Sequence, residues 1–368
     1  MKIGTNDNKL AMKLEPDRNG RLRFISYLQV IGIVLVVLGH SIHECPGVTE
    51  GKLPLGFLMM YSFRMPLFMF VSGFLMVFTT HYRSKVRSVP EFIRIKVLRL
   101  LLPFAVLTLV TFIPRTFMSD VADDTIELRF SSLVHSFIYY DSMVIPYFWF
   151  LQASFILLVF NYAVLGAGRK LGIDYKRITL ILTGFFFIIS MTGLPQALNN
   201  IFSIDRVAAL GVYFTAGMAY CSYSDKVDKW VPWTSKIFLI VVISVWAGCF
   251  FLPEPTLCSF AGITMCIVLA KILATKEKCF LDHLVGANYI IFLLSWYCNV
   301  LTQQVLHHYV EMPWWIYTIL SLTSGVYIPW LVYRYLLRHP QSRWVRLTAF
   351  LLGQNLHKSK NPSGKTAD

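Results

Sequence analysis

Long apolar runs separated by short polar or basic segments follow one another along almost the whole chain. The first run, Ile25 to Ile42, carries no Asp, Glu, Lys or Arg and is long enough to cross a bilayer as a helix. Further apolar runs follow at 54–80, 98–117, 145–166, 178–194, 201–222, 236–252, 256–273, 286–306 and 314–337. The pattern predicts an all-α, polytopic membrane protein with about ten transmembrane helices.

The same pattern predicts three parts of the chain. Residues 1–23 form a basic N-terminal segment, residues 24–337 a ten-helix transmembrane domain, and residues 338–368 a basic tail with a disordered end. Because the first apolar run is of full spanning length and follows a polar start, we expect a membrane helix there and no cleavable signal peptide.

The first span carries a few polar residues, and their spacing places them on one side of the helix. Gln29 and His40 are eleven residues apart, which is about 20° more than three full turns. Glu44 follows His40 by one turn, where a carboxylate can orient an imidazole that acts as a general base. A polar stripe on an apolar span faces a bundle interior or a water-filled cavity. The alternative is that His40 is an interfacial histidine and Glu44 an outer cap.

The composition agrees with a membrane protein and excludes a conventional soluble one. The chain is 56% hydrophobic and only 15% charged, whereas soluble domains have about 25% charged residues. Of the 34 Lys and Arg residues, 29 fall in the segments on one side of the predicted membrane. This asymmetry predicts that both termini are cytoplasmic. It also accounts for most of the net charge of +14, so no nucleic-acid partner is expected.

The cysteines show no spacing typical of a metal site, and we expect no metal. Cys249 and Cys258 flank a Pro-Glu-Pro turn and could pair across it, but small, polarizable cysteines are ordinary in helix packing.

Several cations lie within or near the predicted spans, where a charged side chain is costly unless it has a partner or a function. Arg64 is about ten residues into the second span, just before Met65-Pro66, which can kink the helix. Arg115 and Arg206 lie in the same half of the membrane, and Trp149 belongs to an aromatic entry at the end of the longest outer loop. We assign Arg64 to catalysis and Gln29, Trp149, Arg206 and Arg115 to substrate binding. The alternative is a set of structural ion pairs, such as that of Asp205 with Arg206.

A second basic cluster lies at the predicted inner rim, in the run EFIRIKVLRLLLPF. Its members Arg94, Lys96 and Arg99 could hold a phosphate-rich cofactor. They equally satisfy the positive-inside rule.

The chain resembles the acyltransferase type 3 superfamily of integral-membrane O-acyltransferases, and within it the fucose O-acetylase-like members. The resemblance spans nearly the whole hydrophobic region. It is carried by IGIVLVVLGHS at 31–41, MPLFMFVSGFL at 65–75, KVLRLLLPF at 96–104, FWFLQASFILL at 148–158 and GVYFTAGM at 211–218.

The resemblance implies transfer of an acyl group, here expected to be acetyl, from cytoplasmic acetyl-CoA or another acyl-CoA to a glycan hydroxyl. The family's essential histidine falls on His40, and its acyl-CoA-side cations on Lys96 and Arg99. Membrane lipid, a glycan acceptor and acyl-CoA are the expected partners, and the inner membrane of a bacterial cell the expected location. The sequence departs from the family where Gln29 replaces the usual Arg or Lys, and where Arg64 replaces a histidine before MPLF.

A different class of function uses the same polar residues. A transporter or flippase for a glycan or its lipid-linked precursor would need the chamber for binding only. It would need neither a persistent donor site nor His40 for turnover.

The predicted orientation can be tested with single cysteines placed in a background without the native ones. A thiol reagent that cannot cross membranes should label a cysteine at Asn199 in intact cells and miss one at Lys360, because the positive-inside rule places these positions on opposite sides. Labelling at position 360 from outside would overturn the orientation.

Overall fold

The computed structural model describes residues 22–43, 55–82, 86–117, 126–249, 251 and 255–354. This part of the chain is helical and contains no β-strand. The helices are α1 (Arg23–His43), α2 (Leu55–Tyr61), α3 (Arg64–Val77), α4 (Val89–Lys96), α5 (Leu102–Phe117), α6 (Phe130–Ile138), α7 (Trp149–Lys170), α8 (Tyr175–Met191), α9 (Leu194–Ala197), α10 (Ile204–Trp230), α11 (Lys236–Cys249), α12 (Pro255–Ala274), α13 (Asn288–Asn299), α14 (Leu306–Tyr309), α15 (Trp314–Arg338) and α16 (Arg343–Leu351).

Within the described residues, six helical stretches are long and apolar enough to span a membrane. They are Arg23–Ile42, Phe57–Tyr82, Val89–Phe117, Pro146–Lys170, Thr256–Ala274 and Trp314–Arg338. Helix also covers most of the other predicted spans, through α8, α10, α11 and α13. The protein is therefore an all-α, polytopic membrane protein, as predicted; the total of ten spans stays a prediction.

Helix α1 lies inside the bundle, in contact with α3, α12, α13 and α15. Side chains on all sides of it are fully buried, among them Tyr27, Leu28, Val30 and Ile33. A helix with buried apolar residues on every side is expected in such a central position. Its two ends therefore meet protein rather than lipid.

The start of α1 is fixed by Asp282, which lies in a 3₁₀ turn, Phe280–Leu284. The Tyr27 hydroxyl donates to the Asp282 carboxylate at 2.5 Å, and Arg23 lies 3.6 Å from it. Burial acts to raise the pKa of Asp282, but hydrogen bonds from Tyr27 and the Cys279 N–H, with the charge of Arg23, outweigh burial and hold the pKa below its ordinary value.

A buried cation joins α12 to α10 near the same end of α1. The Lys271 side chain is 1% exposed, and its Nζ lies 2.7 Å from the Asp228 carboxylate. The rings of Phe24 and Trp233 lie 5.2 Å and 4.9 Å from Nζ. Pairing and ring contacts together compensate for the loss of water around this ammonium group.

Helices α3 and α10 touch backbone to backbone through two glycines. A Cβ on Gly73 would lie 1.8 Å from the Phe214 carbonyl oxygen, and a Cβ on Gly217 would lie 1.9 Å from the Phe70 carbonyl oxygen. Small residues allow such close approach between membrane helices. This contact fixes the position of α3, whose first residue is Arg64.

The cysteines in the described residues are free, including Cys249 and Cys258. The alternative of a disulfide between these two is wrong. Cys258 instead lies 3.3 Å from the Ser62 hydroxyl, a packing contact typical of a buried cysteine.

The glycine contact predicts opposite effects for one substitution at two sites. Gly73→Ala should lower the midpoint of thermal unfolding in detergent, because the new methyl group has no space and overpacking destabilises by about 1–3 kcal/mol. Gly184→Ala in α8 is the matched control. No heavy atom lies within 4 Å of the position that its new methyl group would take, and Ala is favoured over Gly in a helix by about 0.5–1 kcal/mol. Equal midpoints for the two variants would contradict the packing described here.

Candidate active site

A cavity of about 1040 Å³ opens at the His40 end of the bundle. Its walls come from the ends of α1, α5 and α8 and from the beginnings of α3, α7, α10 and α12. Helices running alternately up and down bring these termini to one end. Five residues predicted from the sequence line the cavity together: His40, Arg64, Arg115, Trp149 and Arg206.

His40 lies in the last turn of α1, and its imidazole stacks on the Tyr147 ring. The ring centroids are 3.4 Å apart and the planes differ by 23°. Tyr147 is 6% exposed and belongs to a 3₁₀ turn, Pro146–Phe148, that leads into α7. A buried ring held by a helix start gives the imidazole a fixed orientation.

Arg64 is the first residue of α3 and is 3% exposed. Its guanidinium carbon lies 3.5 Å above the centre of the Tyr61 ring, and Nη1 donates to the Val36 carbonyl at 3.5 Å. In an α-helix this carbonyl also accepts from the amide four residues later, which is that of His40. The arginine therefore packs directly against the turn that carries His40.

Gly39 makes this packing possible. A Cβ at this position would lie 1.7 Å from Arg64 Nη1, which is far inside contact distance. Only a residue without a side chain leaves the guanidinium its place. Gly39 thus leaves space for the Arg64 guanidinium, and the next residue, His40, supplies the imidazole.

The predicted kink beside Met65-Pro66 is a break between α2 and α3. Pro66 lies in the first turn of α3, where a missing amide hydrogen is tolerated. The break frees the Ser62 carbonyl, which accepts a hydrogen bond from the Ser259 hydroxyl at 2.7 Å. The chain can therefore turn the start of α3 toward the cavity without losing a hydrogen bond there.

Arg206, in the first turn of α10, lies against two aromatic rings. Its guanidinium carbon is 4.8 Å from the Tyr140 ring centre and 5.4 Å from that of Trp149. It donates to the Tyr140 hydroxyl at 3.1 Å and pairs with Asp205 at 3.3 Å. The pairing with Asp205, the structural alternative from the sequence, is present, and the same cation also borders the cavity.

Arg115 closes another side of the cavity. Its guanidinium donates to the Val144 carbonyl and lies 5.6 Å from the Trp296 ring centre. The contact ties the end of α5 to the segment before α7. The Arg115 guanidinium therefore lies near the start of the aromatic segment that leads into α7.

A buried polar network, formed by residues that are not among those lining the cavity, holds the end of α1. The Ser41 hydroxyl donates to Ser321 at 3.1 Å, and Ser321 donates to Asn299 Oδ1 at 2.8 Å. Gln303 donates to the Ser41 carbonyl from a π-helical segment, Val300–Val305. The network fixes the residue next to His40 to α15 and to the α13 side of the bundle.

Four other predicted residues do not line this cavity. Gln29 lies three turns before His40, about 16 Å along the helix, and accepts a hydrogen bond from Asn288 at 3.3 Å. Arg94, Lys96 and Arg99 lie at the other end of the bundle, on α4 and on the π-helical segment Val97–Leu101. Glu44 lies outside the described residues.

Sequence reasoning missed several residues of the cavity wall. Tyr147 and Tyr140 looked like parts of an interfacial aromatic stretch and an outer loop, and His135 lies on α6 within that same loop. The apolar spacing of FSSLVHSFI was a signal for α6. No local pattern indicated that the Tyr147 ring meets His40, because their contact joins residues more than a hundred positions apart.

The arrangement can perform acyl-transfer chemistry. An oriented imidazole can accept a proton, and a buried guanidinium beside it can stabilise a developing oxyanion. Aromatic rings with a cation at the rim can stack on a ligand. Among the described residues, no group of three His, Cys, Asp or Glu side chains could hold a metal ion.

Comparison with known proteins agrees with this chemistry. The model of the family described as an acyltransferase domain, of the type 3 class, matches residues 22–334. No curated protein and no solved structure matches the chain. Since the match covers most of the chain, the protein is a membrane acyltransferase that belongs to the acyltransferase type 3 family.

Proposed function

We propose that the protein transfers an acyl group, and specifically acetyl, from cytoplasmic acyl-CoA to a hydroxyl of a glycan on the outer side of a bacterial inner membrane. The observation that carries the proposal is the contact of His40 with Tyr147 in a cavity that Arg64 also borders. An oriented base next to a buried cation is what acyl transfer to a hydroxyl requires.

In the proposed reaction His40 accepts the proton of the glycan hydroxyl while the hydroxyl oxygen attacks the thioester carbonyl carbon. The C–S bond breaks, the acyl group becomes an ester of the glycan, and the proton passes from His40 to the departing CoA thiolate. Arg64 stabilises the negative charge on the carbonyl oxygen. Glu44, one turn after His40 in the sequence, is proposed to orient the imidazole.

The rim of the cavity suits a sugar as acceptor. Tyr140 and Trp149 present aromatic surface, and the Arg206 guanidinium, with its hydrogen-bond donors, lies within 5.4 Å of both ring centres. Sugar rings have apolar faces that can pack on aromatic rings and hydroxyl groups that can bond to the cation. Arg115 and Arg206 are accordingly proposed to bind the acceptor.

The donor is proposed to bind at the opposite end of the bundle, at Arg94, Lys96 and Arg99. No Asp or Glu of the described chain lies within 4.0 Å of these three side chains. Lys96 Nζ lies over the Phe92 ring at 5.1 Å and Arg99 over the Tyr289 ring at 5.9 Å. Cations without a carboxylate partner favour the phosphates of a CoA molecule. Its acyl end must then reach His40 through the bundle.

His40→Ala should reduce acetylation by about 10²–10⁴-fold, the usual contribution of a general base. The measurement is mass spectrometry of the cells' surface glycans, with transfer of label from acetyl-CoA in inverted vesicles as the rate. His308→Ala, which removes an exposed histidine outside the cavity, is the control and should be unaffected.

Near-normal acetylation in His40→Ala would refute the catalytic role. If the cells carry no acetylated glycan that depends on the protein, yet glycan export falls when the protein is removed, a transport function would replace this proposal.

Gly39→Ala should reduce transfer on the order of 10²-fold, as the loss of one oxyanion donor does, because the methyl group displaces the Arg64 guanidinium. Arg64→Gln should lose a similar amount. Both changes remove the same interaction, that of the Arg64 guanidinium with the reacting group. Gly39→Ala should therefore add little further loss in the Arg64→Gln background. Gly248→Ala, whose new methyl group would meet open space, is the control. Multiplying losses in the double variant would contradict a shared role.

A further inference from the structure

A basic and aromatic surface lies where α15 leaves the membrane, at the end of the bundle away from His40. The start of α15 is at the His40 end, where Ser321 meets Ser41. Near the other end of α15, the Trp330 indole donates to the His283 carbonyl at 2.7 Å, beside the Asp282 that fixes the start of α1. This surface therefore lies at a membrane–water boundary.

One face of α15 forms an open surface here, and the described residues that line this surface all come from the last turns of α15 and the residue after it. Trp330, Arg334 and Arg338 line it at intervals of one helical turn, with Tyr335 and His339 beside them. The Arg334 guanidinium lies 5.1 Å from the Trp330 ring centre. The hydrogen bond of Trp330 to His283 keeps that indole in place, so this surface has a fixed aromatic ring and two adjacent cations.

Four residues separate the end of α15 from the start of α16, and α16 presents three different faces. Val345 and Ala349 are buried toward the bundle, where α16 packs on α5. Trp344 and Leu347, on another side, are 78% and 48% exposed. Arg343 and Arg346 add two more cations to the helix.

Among the residues that the structure describes, the charge of this region has no carboxylate partner. No carboxylate of the described residues lies within 4.0 Å of Arg334, Arg338, Arg343 or Arg346. Exposed tryptophan and leucine beside arginines on a helix next to a membrane span are typical of a helix that lies in the lipid interface. Basic groups at that level attract anionic headgroups.

We propose that this basic and aromatic face of α15 and the exposed face of α16 together bind an anionic phospholipid. The phosphate lies between Arg334 and Arg338, and the acyl chains lie along Trp344 and Leu347. The lipid would hold α16 against α5. Gly353, just after α16, has a φ of +65°, and a Cβ on it would lie only 2.6 Å from the Arg99 carbonyl oxygen, so the end of α16 adjoins the π-helical segment that carries Arg99.

Native mass spectrometry of the full-length protein in detergent, titrated with dioleoylphosphatidylglycerol, tests the site. The unchanged protein should bind this lipid at least about tenfold more tightly than dioleoylphosphatidylcholine, and Arg334→Gln/Arg338→Gln should remove most of that preference. Arg169→Gln/Lys170→Gln removes the same charge from exposed positions at the end of α7 and should keep the preference. Trp344→Ser should weaken binding of both lipids equally, because it removes contact with acyl chains only.

Three results would overturn the proposal, provided that thermal unfolding shows all variants folded. One is an unchanged lipid preference in Arg334→Gln/Arg338→Gln. Another is an equal loss in the two double variants, which would indicate general charge attraction. The third is full displacement of the lipid by millimolar inorganic phosphate, which would indicate a site for a free phosphate.

Discussion

The buried contact of Arg64 with the end of α1 is the interaction on which the site depends. A guanidinium that is 3% exposed needs acceptors and a polarizable surface, and here it receives the Val36 carbonyl and the Tyr61 ring. Both are available only because Gly39 has no side chain and because α2 and α3 are separate helices. The close α3–α10 contact then keeps the start of α3 where the arginine can reach α1.

The sequence was sufficient for the parts that follow from periodicity and from the cost of burying charge. Uninterrupted apolar runs predicted the helices, and the expense of an arginine within a span pointed to Arg64. The three cations, the histidine and the tryptophan assigned to the polar chamber all line one cavity. The sequence was insufficient for contacts between distant segments, such as Tyr147 with His40, which depend on packing that no local pattern encodes. Gln29 shares a helical stripe with His40 but lies too far along the axis to share its cavity.

The two ends of the bundle have different chemistry. At the His40 end, aromatic rings, an imidazole and arginines paired with protein groups surround a large cavity. At the other end, basic side chains of α4, α15 and α16 lack carboxylate partners within the described chain. This separation suits an enzyme that takes a phosphate-bearing donor from one side of a membrane and a neutral hydroxyl from the other. It also suits a helix bundle anchored by lipid on the side where the donor is proposed to bind.

The proposed transfer of the acyl group across the membrane predicts a fixed sidedness of the reaction. Sealed vesicles from cells that make the protein, with their own glycans as acceptor, are prepared inverted and right-side-out, and labelled acetyl-CoA is added outside. Inverted vesicles should label glycans in their lumen, where an added esterase cannot remove the label until detergent opens the membrane; right-side-out vesicles should stay unlabelled. Label that appears on right-side-out vesicles, or that the esterase removes from intact inverted ones, would place donor and acceptor on the same side and contradict the account.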